Sequence, residues 1–175
     1  TQLQDTFGVI MLALVDNQPR ILTLKQVLHY YIQHQEDVIT RRTRYELSKA
    51  EARAHILEGL TIALDHLDAV ITTIRESQTA DIARNALMDG FKLSEKQAQA
   101  ILDLRLQRLT GLEREKIEEE YQEVLKKIEW LKSVLADESK IMTIIKEELT
   151  AVKEKYGDAR RTAITYDMSE MREED

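Results

Sequence analysis

From Leu112 to Tyr156 the apolar residues fall in alternating steps of four and three. They are Ile117, Tyr121, Val124, Ile128, Leu131 and Leu135, then Met142, Ile145, Leu149, Val152 and Tyr156, with Leu125 beside the stripe. One position in this series is polar, Glu138. A 4-3 alternation lines one side of a slightly underwound helix, which is the seam of a coiled coil. Glu, Lys and Gln fill most other positions, so the stripe is too narrow to bury itself. The pattern therefore demands a partner helix.

The rest of the chain offers one. Val9–Val15 is a short apolar run, Asp16-Asn17-Gln18-Pro19 has turn chemistry, and an apolar pattern resumes over Arg20–Leu22, which predicts a β-hairpin. Thr23-Leu24-Lys25-Gln26 fits a capping box that opens a long helix. Its spacing runs through Leu24, Leu28, Tyr31, Val38, Tyr45, Ala52 and Ile56, with Gln35, Arg42 and Lys49 as polar positions on the same stripe. From Ile56 to Ile74 the stripe widens, as it does against a globular core. Ser77-Gln78-Thr79 breaks the pattern, and Thr79 caps a short helix over Ala80–Met88 that Asp89-Gly90 ends. Ser94-Glu95-Lys96-Gln97 is a second capping box, opening a helix to about Thr110 with Gly111 as its stop. Ala98, Ile101, Leu102, Leu106 and Leu109 share one face of it, while Leu104 lies off that face. So wide an apolar arc fits either a second neighbour inside the lobe or an intersubunit contact.

Two long helices flanking a group of short ones become antiparallel neighbours. The expected fold is all-α: a long antiparallel two-helix coiled coil capped by a small helical globular knob, with a short β-hairpin at the base. Residues 1–22 form the hairpin, 23–56 the first arm, 57–112 the knob, 113–157 the second arm and 158–175 a linker or tail, with a brief strand-like Thr162–Tyr166. Setting Leu24 opposite Tyr156 puts Arg42 opposite Glu138. A buried ion pair there would fix register rather than add stability. In the competing reading the helix breaks near Asp137, which caps a second segment, and Glu138 is solvated. The arm would be roughly 45–50 Å long at ~1.5 Å per residue.

Composition narrows the function. One third of the 175 residues are charged, aromatics are 5 %, and there are five Gly and one Pro, a profile of long solvated helices. The net charge of −7 disfavours binding to phosphates. With no Cys there is neither disulfide nor thiolate chemistry. The apolar runs are too short to span a bilayer, and no signal-peptide pattern opens the chain. Opening at Thr1 in mid-pattern and closing on an acidic run, the chain reads as a piece of a larger protein.

Site chemistry is sparse. His29 and His34 are five residues apart and do not share a helix face, while His55 and His66 stand alone. No Gly-rich phosphate loop, nucleophile motif or carboxylate pair is present. Arg41, Arg42 and Arg44 form a basic patch, read first as a solvated face balanced by Glu36, Asp37 and Glu46 and second as a phosphate contact. A zipper-type DNA reader is disfavoured by the few basic residues and the acidic balance.

Longer blocks carry more information. Arg41-Arg42-Thr43-Arg44-Tyr45-Glu46-Leu47, then Ala54-His55-Ile56-Leu57-Glu58-Gly59-Leu60, then the run from Gln97 through Leu104-Arg105-Leu106 to Leu109-Thr110-Gly111-Leu112-Glu113 resemble the A subunit of bacterial DNA gyrase, a type IIA topoisomerase. So do Phe7-Gly8, Tyr156-Gly157-Asp158 and Arg160-Arg161-Thr162. The resemblance spans essentially the whole chain, and the related topoisomerase IV subunit shares much of it. It implies the coiled-coil arm and terminal knob of that subunit, two copies meeting knob to knob as the exit gate that releases the transported duplex. The family's DNA-cleaving tyrosine and its arginine lie in an upstream domain, so the resemblance implies no catalytic residue here, and Arg44-Tyr45 matches that dyad as a dipeptide only. ATP, Mg2+ and the B subunit enter through the parent enzyme, with double-stranded DNA as its substrate and the bacterial cytoplasm, at the nucleoid, as its place. This piece itself is expected to hold no cofactor, metal or membrane.

On that basis the dimer-interface candidates are Met88, Phe91, Ile101, Leu102, Leu104 and Leu106, and all of them being lobe core is the competing view. The arm-bend candidates are Gln35, Arg42, Asp137 and Glu138, in the polar stretch Gln33–Thr43 and the facing Asp137–Ser139. A generic coiled-coil scaffold is the alternative of a different class, and it does not need the specific blocks quoted above.

Overall fold

The computed structural model of the chain describes residues 7–104 and 111–164. The order of elements is β1 (Met11–Val15), β2 (Gln18–Leu22), α1 (Leu24–Asp65), α2 (Leu67–Glu76), α3 (Ala80–Phe91), α4 (Glu95–Leu102), α5 (Gly111–Ala136) and α6 (Glu138–Tyr156). The structure is mostly helical, with one two-stranded antiparallel hairpin. Asp16 and Asn17 have φ of 52° and 60°, the left-handed pair that a two-residue hairpin turn requires. The turn is thus tighter than its sequence indicated, and Gln18 and Pro19 already belong to β2.

α1 is 42 residues long and starts on the expected capping box. The Thr23 hydroxyl accepts the Gln26 N–H at 3.4 Å, and Gln26 Oε1 accepts the Thr23 N–H at 2.9 Å. The helix runs without a break through the expected arm–knob boundary and ends at His66, whose backbone leaves the helical region at φ −115°, ψ 34°. No side chain caps the start of α2. Nothing in the sequence pattern marked this break, because the apolar stripe continues across it.

α5 packs antiparallel to α1. Across the two helices Lys127 pairs with Glu46 at 3.4 Å, Lys132 with Glu51 at 2.9 Å, Arg53 with Glu120 at 2.7 Å, and Arg114 with Asp65. Between them lie Ala50, Ala54, Ile128 and Leu131, flanked by Leu47, Tyr121 and Val124. The buried face of α1 is Ile39, Thr43, Ala50, Ala54 and Leu57, which corrects the expected stripe by about one residue. Tyr45 is 60 % exposed, and the Lys49 ammonium sits 4.8 Å above its ring. The reason is size: Thr43, Ala50 and Ala54 let α5 approach closely and bury its large residues, whereas Tyr45, Arg42 and Lys49 snorkel outward. The shift corrects the expected pairing of Arg42 with Glu138. Arg42 bonds Glu148 through both terminal nitrogens, at the edge of the contact rather than within it.

The second arm also departs from a single register. Asp137 is extended (φ −136°, ψ 106°) and separates α5 from α6. Val134, ahead of the interruption, and Ile141, after it, are buried where Leu135 and Met142 were expected. The reading in which the helix breaks and Glu138 is solvated is the one observed, since Glu138 opens α6 and is exposed. Toward the hairpin the seam is not buried: Leu24 is 64 % and Tyr156 69 % exposed. Gly157 ends α6 as expected, but in an extended conformation. Thr162, Ala163 and Ile164 form no strand, and Tyr166 lies outside the described residues.

Candidate functional site

At the other end of α1, its last two turns meet α2, α3, α4 and the start of α5 in one apolar core. Leu57 and Leu87 are fully buried, with Leu60, Leu64, Val70, Leu93, Ala98, Ile101 and Ile117 around them. Local chemistry places each helix of this lobe. The Thr79 hydroxyl accepts the Ile82 N–H at 3.3 Å and starts α3. α3 then runs past the expected stop: Gly90 stays helical, and Lys92, left-handed at φ 54°, makes the turn. The Leu93 N–H closes that turn on the Met88 carbonyl at 3.2 Å and drives Leu93 into the core. Ser94 caps α4, which ends at Leu102, short of the expected Thr110. Gly111 is helical and belongs to α5, and residues 105–110 before it lie outside the described residues.

The candidate interface residues separate into two groups. Ile101 is 6 % exposed and belongs to the lobe core, where the competing view puts it. Met88, Phe91, Leu102 and Leu104 are half-buried and pack on the rim of the same core. Leu106 lies outside the described residues. Beside Leu102 and Leu104 the lobe opens into an apolar cleft of about 520 Å³, walled by Leu67, Ile71 and Ile74 of α2, with Arg75 at its edge. The contribution of α2 was not foreseen, because the break at His66 that folds α2 back has no sequence mark.

Of the arm-bend candidates, Asp137 and Glu138 form the break itself. The Asp137 carboxylate accepts the Ser139 N–H at 2.9 Å and caps α6. These hydrogen bonds hold its pKa below the ordinary value. Gln35 is half-buried. Opposite the break, Ile39 is 1 % exposed and packs with Val134, Ile141 and Ile145, so the gap in the ladder is bridged by one buried side chain of α1. Arg42 is held by Glu148, which raises its pKa. Arg41 pairs with Asp37 at 3.0 Å on the surface, as the solvated-face reading requires. Among the described residues no group of three or more His, Asp and Glu side chains could hold a metal ion. No helix among them is long and apolar enough to cross a membrane.

Comparison with known proteins supplies the family. The family model for the A subunit of DNA gyrase and topoisomerase IV matches residues 1–150. The chain is 68 % identical to the DNA gyrase A subunit of Clostridium acetobutylicum over 164 residues, covering 94 % of this chain and 20 % of that protein. It is 61 % identical to the DNA gyrase A subunit of Halalkalibacterium halodurans over all 175 residues, 21 % of that protein. Against the DNA gyrase A subunit of Staphylococcus aureus strain MRSA252 the identity is 56 % over 94 % of this chain and 18 % of that protein. The chain thus spans about a fifth of the length of the curated relatives it matches.

Proposed function

The chain belongs to the family of DNA gyrase and topoisomerase IV A subunits, and from that premise we propose that its lobe is the exit gate of a gyrase A subunit. The paired helices are the coiled-coil lever arm that carries the gate. Two copies meet lobe to lobe through Met88, Phe91, Leu102, Leu104 and Leu106, an isologous contact about a two-fold axis. In the whole enzyme, a cytoplasmic type II topoisomerase that also uses the B subunit, ATP, Mg2+ and double-stranded DNA, opening of this contact releases the transported duplex. This piece contributes the gate and no catalytic group.

The observation that carries the proposal is the open apolar cleft beside Leu102 and Leu104 at the tip of the paired helices. Apolar surface that rims a cleft is suited to reversible burial by a symmetric partner. A gate must also transmit movement. The break at Asp137, with Gln35, Arg42 and Glu138 around it, is where the arm bends when the gate opens. Sedimentation of a Leu104→Glu variant tests the gate. A carboxylate in the contact is expected to convert the dimer to monomer without loss of helix content, and a variant that stays dimeric would contradict the assignment.

A further inference from the structure

Gln97 is a buried polar side chain, 5 % exposed, and it makes two different bonds. Its Oε1 accepts the Ser94 N–H at 2.9 Å, completing the capping box of α4. Its Nε2 leaves α4 altogether and donates to the His55 carbonyl of α1 at 2.7 Å. His55 is within α1, so this carbonyl is also the one that the Gly59 N–H reaches in a regular helix. Gly59 is what permits the approach: a Cβ there would lie 2.6 Å from both Cβ and Cγ of Gln97. The His55 ring adds a third link, with Nε2 2.6 Å from the Ser94 hydroxyl. That hydroxyl already accepts the Gln97 N–H at 3.3 Å, and Nδ1 lies 3.4 Å from the Gln97 amide nitrogen. The tautomer with the proton on Nε2 satisfies the set, Nε2 donating to Ser94 and Nδ1 accepting from Gln97.

By contrast, α2 begins without a side-chain cap and lines the lobe with apolar residues. We propose that His55, Gly59, Ser94 and Gln97 form a latch that fixes the first turn of α4 to α1, so that α4 moves as part of the arm rather than with α2. These are positioning residues. The consequence for the gate rests on the exit-gate reading: Leu102 and Leu104, at the far end of α4, then receive the motion of α1 directly.

Amide hydrogen exchange on this chain tests the latch separately from the gate. Gln97→Glu keeps the oxygen that caps Ser94 and nearly the same volume, but it removes the donor and sets a carboxylate oxygen against the His55 carbonyl. Exchange at 98–102 is expected to rise at least tenfold, with α1 and α5 unchanged. His55→Phe, at a half-exposed position, removes both ring links, to Ser94 and to Gln97, but keeps the bond from Gln97 to the His55 carbonyl, and is expected to raise exchange in the same helix by a smaller factor. Unchanged exchange in α4 in both variants overturns the latch, and so does an equal rise throughout the lobe. If α4 loosens and the dimer dissociation constant also rises about tenfold, both readings stand. If α4 loosens while self-association is unaffected or absent, the latch stands and the exit-gate reading fails.

Discussion

Asp137 shows how one residue sets a joint. Its carboxylate replaces the helical partner that the Ser139 N–H lacks at the start of α6. The folded-state pKa is lowered from the ordinary 3.8, first by the Ser139 hydroxyl and then by that backbone bond. Its contribution to stability is therefore present above the ordinary carboxylate value and lost as pH falls through the lowered folded value. Asp137→Ala is expected to fray the first turn of α6 at neutral pH, seen as faster exchange at Ser139 and Lys140. Asp137→Asn keeps an acceptor and abolishes the acid-induced shift of the Ser139 amide in an NMR titration. The cap was legible in the sequence because Asp is a favoured capping residue. The partner of Arg42 was not, since a long side chain at the edge of a seam reaches across several positions. Nor was the double use of Gln97: the motif reveals its capping bond, whereas its bond to His55 depends on how closely α4 lies against Gly59.

At the scale of elements, the capping boxes, the hairpin and the long helices were all legible, because each rests on local chemistry or a repeated period. What the period did not fix was which of two adjacent stripes of α1 is buried. Counting from Leu24 favoured large residues, but close helix packing selects small ones, and Thr43, Ala50 and Ala54 win. Ile39 is the exception, a large residue placed where the break in the second arm leaves room. Ile39→Ala is expected to destabilise by about 2–5 kcal/mol. The loss should be confined to the arm around the break, which chemical denaturation followed by exchange in α6 against exchange in the lobe would reveal. Equal loss in the lobe would argue against separate units. Further along the arm, Arg53 meets Glu120 through Nε and Nη2, both at 2.7 Å, with side chains 45 % and 42 % exposed. A double-mutant cycle at this pair is expected to give a coupling of about 0.5–1 kcal/mol that shrinks in salt.

The molecule as a whole is mostly helical, with an apolar cleft in the lobe. Its net charge is −7. A chain of net negative charge repels a duplex, so this one is expected not to bind duplex DNA measurably at physiological salt. Measurable binding in a filter or anisotropy assay would contradict that. The widening of the stripe after Ile56 was legible, and Leu57, Leu60 and Leu64 there share one buried core. The cleft was not, because the turn at His66 that brings α2 beside Leu102 and Leu104 is made by tertiary packing alone. Whether this lobe joins two copies is decided by the molecular mass of the chain measured across concentration. The expected result is a reversible monomer–dimer equilibrium that Leu104→Glu shifts to monomer. A chain that remains monomeric up to high concentration would contradict it.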